Sequence, residues 1–117
     1  MGTRGFGIGL AFAAALAGTS GAWAQAPLPR TIKIVVPFSA GGSNDVVARA
    51  IATPLSARLG IPVIVENKAG AAGVVGADAV AKSPRDGSVL LLTSSSFLTA
   101  AATQAQLPYD PIAAFAP

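Results

Sequence analysis

The sequence predicts an α/β fold with a parallel sheet, because three short apolar runs alternate with two helical segments. Residues 31–36, 62–66 and 88–92 are rich in valine, isoleucine and leucine, as strands usually are. Residues 43–59 and 73–82 lie between them and repeat apolar side chains at helical spacing. A β-α-β-α-β order with short connections favours parallel strands joined by right-handed crossovers, and we expect the strand order 2-1-3.

The first strand and the first helix are joined by a loop of small residues. The strand is almost entirely apolar apart from Lys33, which suits a strand covered on both faces. Pro37 ends the strand. Ser43 is the expected N-cap of the helix, and Asp45 falls in its first turn, where a negative charge favours the helix dipole.

Apolar spacing also predicts the buried face of the first helix and the point where the helix ends. Pro54 predicts a kink, or a break followed by a restart, because proline cannot donate a helical hydrogen bond. Leu55 and Leu59 continue the apolar stripe, and Gly60 suits a left-handed helix end. The residues expected to face the core are Val46, Val47, Ala50 and Ile51.

The second half of the chain repeats this pattern with shorter elements. A glycine-containing loop at residues 67–72 leads to the second helix, and residues 83–87 form a turn marked by Asp86-Gly87. Residues 97–105 are either helical or irregular. The residues of the second helix expected to face inward are Val74, Ala77 and Val80 or Ala81.

Residues 1–24 have the organisation of a cleavable secretory signal peptide. Arg4 supplies a positive charge, residues 5–18 are apolar, and Ala22-Trp23-Ala24 fits the small-x-small cleavage rule. Cleavage after Ala24 is expected, with Ala24-Gln25-Ala26 as a second register. A membrane anchor is the alternative, but the apolar stretch is shorter than the roughly 20 residues that a spanning helix needs. The leader predicts an exported protein, and residues 25–117 are long enough for one small α/β domain at most.

Composition excludes several classes of function. The 117 residues carry a net charge of +3, and their basic side chains are scattered, so a clustered nucleic-acid-binding face is not expected. Cysteine and histidine are both absent, which excludes a disulfide framework, a thiolate or imidazole zinc site and a catalytic triad containing either residue. Neither of the glycine-rich nucleotide-binding motifs, G-x-G-x-x-G and G-x-x-x-x-G-K-[ST], occurs in the sequence. We therefore predict no catalytic residue, no metal and no cofactor, and a protein that binds without chemistry.

The loops after the three strands are the candidate binding site, because ligands of open parallel sheets bind beyond the carboxyl ends of the strands. The first loop places glycines before a helix N-terminus, where a carboxylate or phosphate is favoured. An ordinary strand-to-helix turn would also need these glycines, and a run of serines is common in solvated loops. Phe38 and Phe97 could belong to the core or form the apolar wall of a cleft.

Several segments together resemble one family, the Bug receptors of tripartite tricarboxylate transporters. Residues 35–49 (VVPFSAGGSNDVVAR) resemble the family signature V-P-F-x-x-G-G-x-x-D-x-x-A-R. Residues 59–73 (LGIPVIVENKAGAAG) resemble its L-G-x-P-V-x-V-E-N-x-x-G-A-x-G run. Residues 80–87, 107–111 and 115–117 extend the match. Ser39, Pro54 and Ser88 depart from the family pattern without breaking it.

The resemblance implies a periplasmic binding protein of two α/β domains, similar to type II receptors, with a cleft for a small carboxylate solute and partners in the transporter membrane. Asp45 belongs to the motif and is expected either to bind the solute or only to organise the loop. Family members run to about 300 residues, within the range of two domains. We therefore expect an N-terminal fragment with little or no binding. The alternatives are a truncated, non-binding export product or part of a phosphate-binding α/β enzyme. The binding residues carried over by position are Phe38, Ser39, Ala40, Gly41, Gly42, Ser43, Asp45, Gly70, Ala71, Ser94, Ser95 and Ser96.

Overall fold

A computed structural model describes residues 26–117, so the predicted leader and its cleavage site after Ala24 lie outside the described residues. The chain alternates strands and helices as the sequence predicts. A 3-10 turn at Ala71–Gly73 precedes the second helix. The strands and helices are β1 (Ile32–Val36), α1 (Ser43–Leu59), β2 (Val63–Asn67), α2 (Val74–Ala81), β3 (Val89–Leu91) and α3 (Ser96–Thr103).

The three strands form one parallel sheet in the order β2-β1-β3, which confirms the predicted order. Ile32 pairs with Val63 at the start of the β1–β2 ladder, and Lys33 pairs with Val89 at the start of the β1–β3 ladder. All three strands therefore end at the same edge of the sheet. The central strand β1 carries its loop into the middle of that edge.

The core lies on both sides of β1. Ile34 and Val36 pack against Ala48 and Ala52 of α1 in the main buried cluster. Val35 alternates to the opposite face of β1 and is also buried, at 2% exposure. Right-handed crossovers in a 2-1-3 sheet place α1 and α2 on opposite faces. The α2 residues that are buried, Val74, Gly76, Ala77 and Val80, include the predicted inward positions and select Val80 over Ala81.

The predicted buried face of α1 is wrong. The predicted residues Val46, Val47, Ala50 and Ile51 are all exposed, and Val46 is 60% exposed. Asp45, Ala48 and Ala52 are buried instead. These three positions also recur at helical spacing, and the small alanine side chains allow α1 to approach the branched side chains of the sheet.

The predicted boundaries of α1 also need correction. Gly42, not Ser43, is the N-cap, and no side chain caps the helix. The helix runs through Pro54 without the interruption that was one expected outcome. Ala50 and Pro54 lie on the exposed side, so water can bond to the Ala50 carbonyl that has lost its helical donor. Gly60 ends the helix with φ +68°, as the sequence predicts.

Within residues 26–117, no helix has the length and apolar character needed to cross a bilayer.

Candidate functional site at the strand ends

The first loop exposes its backbone at the middle of the sheet edge. Ser39, Ala40, Gly41 and Gly42 are all exposed, while Phe38 is half-buried and packs against the core. Gly41 has φ +85°, a left-handed conformation that glycine adopts at little cost. The Gly42 amide donates to the Ser39 carbonyl at 3.4 Å and closes a tight turn. The loop therefore arrives at α1 with its main chain accessible.

The N-terminus of α1 opens directly from this turn. The Gly42 carbonyl accepts the first helical bond, from Val46 N–H at 3.0 Å. The N–H groups of Ser43, Asn44 and Asp45 therefore have no acceptor within the helix. A helix of 17 residues adds the positive end of its macrodipole at this point. Free donors and partial positive charge together favour an anionic group such as a carboxylate.

The Asp45 carboxylate turns into the protein rather than toward this surface. Asp45 is 4% exposed. One oxygen accepts the Gly41 amide at 2.8 Å, the other accepts Asn67 Nδ2 at 3.0 Å, and Arg49 Nε lies 3.1 Å from both. The bond from Arg49, reinforced by those from Gly41 and Asn67, holds the pKa of the Asp45 carboxyl at about 2, below its ordinary value of 3.8. Asp45 is therefore ionised and engaged with its own loop.

The serine loop after β3 meets the first turn of α1 at one point. Asn44 Nδ2 donates to Ser94 Oγ at 3.5 Å, and the hydroxyls of Ser94 and Ser96 lie 3.0 Å apart. Ser95 is exposed and precedes α3 without capping it. Since β1 and β3 are neighbours, the loops that follow them lie side by side beyond the strand ends.

The glycine loop after β2 lies at the same edge but turns inward on itself. Gly70 has φ +145° and its carbonyl accepts the Gly73 amide at 2.9 Å. Ala71 has φ +46°, which is unusual for a residue with a side chain. Among the described residues, neither Gly70 nor Ala71 hydrogen-bonds to the other two loops. The structure thus links the first loop to the second through Asn67 and to the serine loop through Asn44, while Gly70 and Ala71 bond to neither.

Sequence reasoning missed three residues of the site: Asn44, described above, and Arg49 and Asn67. Asn67 is the last residue of β2, and its amide nitrogen reaches the Phe38 carbonyl at 3.2 Å as well as the Asp45 carboxylate. Arg49 Nη2 donates to Asn67 Oδ1 at 3.3 Å. All three residues stand in the family-like runs quoted above, and that was the one available signal.

Phe97 belongs to an aromatic cluster away from the first loop. Its ring stacks on Tyr109 at 6.1 Å and meets the edge of Phe115 at 5.4 Å. It also lines a cleft of about 660 Å³ on the outer side of β3. Residues 38–45 do not line this cleft. The ring is therefore a packing element of residues 97–115 rather than a wall beside the first loop.

Comparison with known families gives one clear match. The sequence profile of the tripartite tricarboxylate transporter family receptor, TctC, matches residues 47–117. Protein BugT of Bordetella pertussis is 58% identical over 67 residues, which are 57% of this chain and 21% of BugT. The chain spans between 21% and 35% of the length of the curated relatives it matches.

Solved structures give the same assignment for the fold. The periplasmic binding protein BugD aligns with a TM-score of 0.66 and 43% identity over 70% of this chain and 27% of BugD. MatC from Rhodopseudomonas palustris, solved with bound malate, aligns with a TM-score of 0.63 and 39% identity over 70% of this chain and 28% of MatC.

Proposed function

The chain belongs to the tripartite tricarboxylate transporter receptor family, and we propose that its strand-end loops bind a small carboxylate-bearing solute without chemical conversion. One observation carries this proposal. The turn containing Gly41 presents the free N–H groups of α1 beside the hydroxyls of Ser94 and Ser96. Amide and hydroxyl donors at a positive helix end suit a carboxylate. MatC, a solved relative, holds malate.

The state of Asp45 supports an anionic ligand. An ionised carboxylate pointing at the binding surface would repel a second carboxylate. Asp45 instead accepts bonds from Gly41, Arg49 and Asn67, so its charge is balanced within the protein. The N–H groups of the helix start therefore set the sign of the local potential.

Binding rather than catalysis is the role these groups favour. A serine nucleophile requires an adjacent general base, whereas the Ser94 hydroxyl contacts Asn44 and the Ser96 hydroxyl, and Ser96 contacts Ser94. With histidine and cysteine absent from the sequence, these hydroxyls act as hydrogen-bonding groups for a ligand.

We further propose that residues 1–24 direct the protein to the periplasm and are cleaved after Ala24. Residues 25–117 then contribute part of the N-terminal domain of a receptor that delivers its solute to the membrane components of the transporter. The family assignment and the periplasmic relative BugD support this placement. Mass spectrometry of the exported protein tests the cleavage, and a retained Met1 would contradict it.

Titration with malate, followed by amide NMR, tests the binding proposal, because chemical shifts report weak as well as tight binding. We expect saturable shifts at the amides of residues 39–45 and 94–96. The uncharged diamide of malate, at matched ionic strength, should leave these amides unmoved. Ser94→Ala should weaken the malate response, whereas Ser83→Ala, at the end of α2, should not. Equal responses to malate and its diamide would refute carboxylate recognition.

A further inference from the structure

The two chain segments that leave β1 and β2 separate at Asn67. Asn67 pairs with Val36 at the end of the β1–β2 ladder, and the next amide, Lys68 N–H, donates to the Val36 carbonyl at 2.8 Å. Beyond this point β1 leads to the first loop, here called the binding loop, and β2 leads to the glycine loop. A side chain at position 67 is therefore placed to link the strand end to the loop.

The Asn67 amide forms that link with both of its polar atoms. Its nitrogen donates to the Phe38 carbonyl at 3.2 Å and to Asp45 Oδ1 at 3.0 Å. Its oxygen accepts Arg49 Nη2 at 3.3 Å. A carboxamide is needed for this arrangement, because it supplies two donors and an acceptor in one plane. Aspartate has the same size but no donor when ionised.

The bond to Phe38 sets the direction of the following amide. Residues 26–117 contain no cis peptide bond, so the Phe38–Ser39 peptide is trans. In a planar trans peptide the carbonyl and the next N–H point in opposite directions. Holding the Phe38 carbonyl toward Asn67 therefore turns the Ser39 N–H away from β2. Ser39 is an exposed residue, and its N–H has no backbone acceptor among the described residues, which leaves this donor for a ligand.

The bond to Asp45 acts on the other end of the loop. Asp45 Oδ1 accepts from Asn67, while Asp45 Oδ2 accepts the Gly41 amide at 2.8 Å. Gly41 is the loop residue with the left-handed φ of +85°. Asn67 thus restrains the first residue of the loop directly and its left-handed glycine through Asp45.

We propose that Asn67 is a positioning residue that fixes the binding loop by tying Phe38 and Asp45 to the end of β2. The proposal rests on the proposed function, since it assigns Asn67 to the same carboxylate site. Asn67 does not contact the ligand in this scheme. It orients the donors of Ser39 and of the α1 N-terminus, and orientation of donors before binding is a principal source of affinity.

Two variants of Asn67 and one matched control test this role in the full chain. Asn67→Asp keeps the size of the side chain and removes both donors, whereas Asn67→Ala removes the whole link. Glu66→Gln is the control, because Glu66 precedes Asn67 in β2, faces the opposite side of the strand and contacts Lys33 at 2.6 Å and Lys68 at 2.7 Å. The measurements are the malate dissociation constant, hydrogen exchange at the Ser39 and Gly41 amides, and the thermal midpoint.

We expect both Asn67 variants to weaken malate binding by about tenfold and to accelerate Gly41 exchange by a similar factor. Glu66→Gln should leave both quantities unchanged. A purely structural role for Asn67 predicts a lower thermal midpoint with unchanged malate affinity and unchanged exchange, and that result would overturn the proposal. If the wild-type protein does not bind malate, the carboxylate proposal fails. Hydrogen exchange at the Gly41 amide then tests the positioning role of Asn67 by itself. Faster Gly41 exchange in Asn67→Asp supports positioning, and unaltered exchange refutes it.

Discussion

Replacing Gly76 with alanine should destabilise the protein, because α2 approaches Pro37, at the base of the first loop, at this glycine. A Cβ atom at position 76 would lie 2.7 Å from Pro37 Cβ, 2.8 Å from Pro37 Cα and 2.9 Å from the Lys68 carbonyl oxygen. Favourable contacts between carbon atoms occur at about 3.5–4.0 Å. The added methyl group would therefore overlap by roughly 1 Å with atoms that belong mostly to backbone or to a proline ring.

Two opposing effects set the size of the change. Forcing a methyl group into a packed contact costs about 1–3 kcal/mol, and the rigidity of Pro37 and the Lys68 backbone places this case near the upper end. Alanine improves helix propensity over glycine by about 1 kcal/mol. The free energy of unfolding should fall by about 2 kcal/mol. With a urea m value of about 1 kcal/mol/M for a small protein, the unfolding midpoint should fall by about 2 M.

Urea unfolding followed by circular dichroism measures this midpoint. Gly60→Ala is a useful comparison, because Gly60 has φ +68° and a Cβ there would meet nothing within 4 Å. Its cost of about 1 kcal/mol comes from the left-handed backbone alone. A Gly76→Ala protein as stable as the wild type would show that α2 does not pack this closely on Pro37, and the reasoning would fail.

Two further predictions concern α1. The pKa of Asp45 is lowered from 3.8 to about 2 in the folded state, so its stabilising effect is complete above about pH 4 and is lost as the pH falls toward 2. The urea midpoint should drop over that range, and less so in Asp45→Asn; an equal drop in both proteins would contradict the role of Asp45. The orientation of α1 predicts that Val47→Lys changes the free energy of unfolding by less than about 0.5 kcal/mol. Ala48→Leu, at a fully buried position, should lower the free energy of unfolding by about 1–3 kcal/mol. A larger loss for Val47→Lys than for Ala48→Leu would show that the helix face predicted from the sequence is the buried one.

Sequence pattern was sufficient for the order and topology of the elements. Apolar β-branched runs alternating with helical segments leave few allowed connections, because parallel strands require right-handed crossovers. The orientation of α1 was less determined, since positions 45, 48 and 52 and positions 46, 47, 50 and 51 both follow helical spacing. The larger side chains favoured the second set. In the folded protein small side chains face the sheet, since the branched side chains of β1 already occupy the space between the layers.

The positions of the candidate loops at the strand ends were predictable from the sequence, but the contacts between those loops were not. Strand-end position places residues 38–43 and 94–96 at one edge of the sheet from the sequence alone, and their role in binding stays a prediction. The bonds of Asn67 to Asp45 and Phe38 join residues 22 and 29 positions apart, and local pattern carries no information about such contacts. The same holds for the bond from Asn44 to Ser94, which are 50 positions apart.

The central position of β1 has a consequence for the order in which the site forms. Ile32 meets Val63 across 31 positions of chain, whereas Lys33 meets Val89 across 56 positions. Closing the longer segment costs about 0.5 kcal/mol more chain entropy, so we expect the β1-α1-β2 unit to form before β3 joins it. That unit already contains Asp45, Arg49 and Asn67. The first loop would thus reach its folded shape before the serine loop arrives beside it.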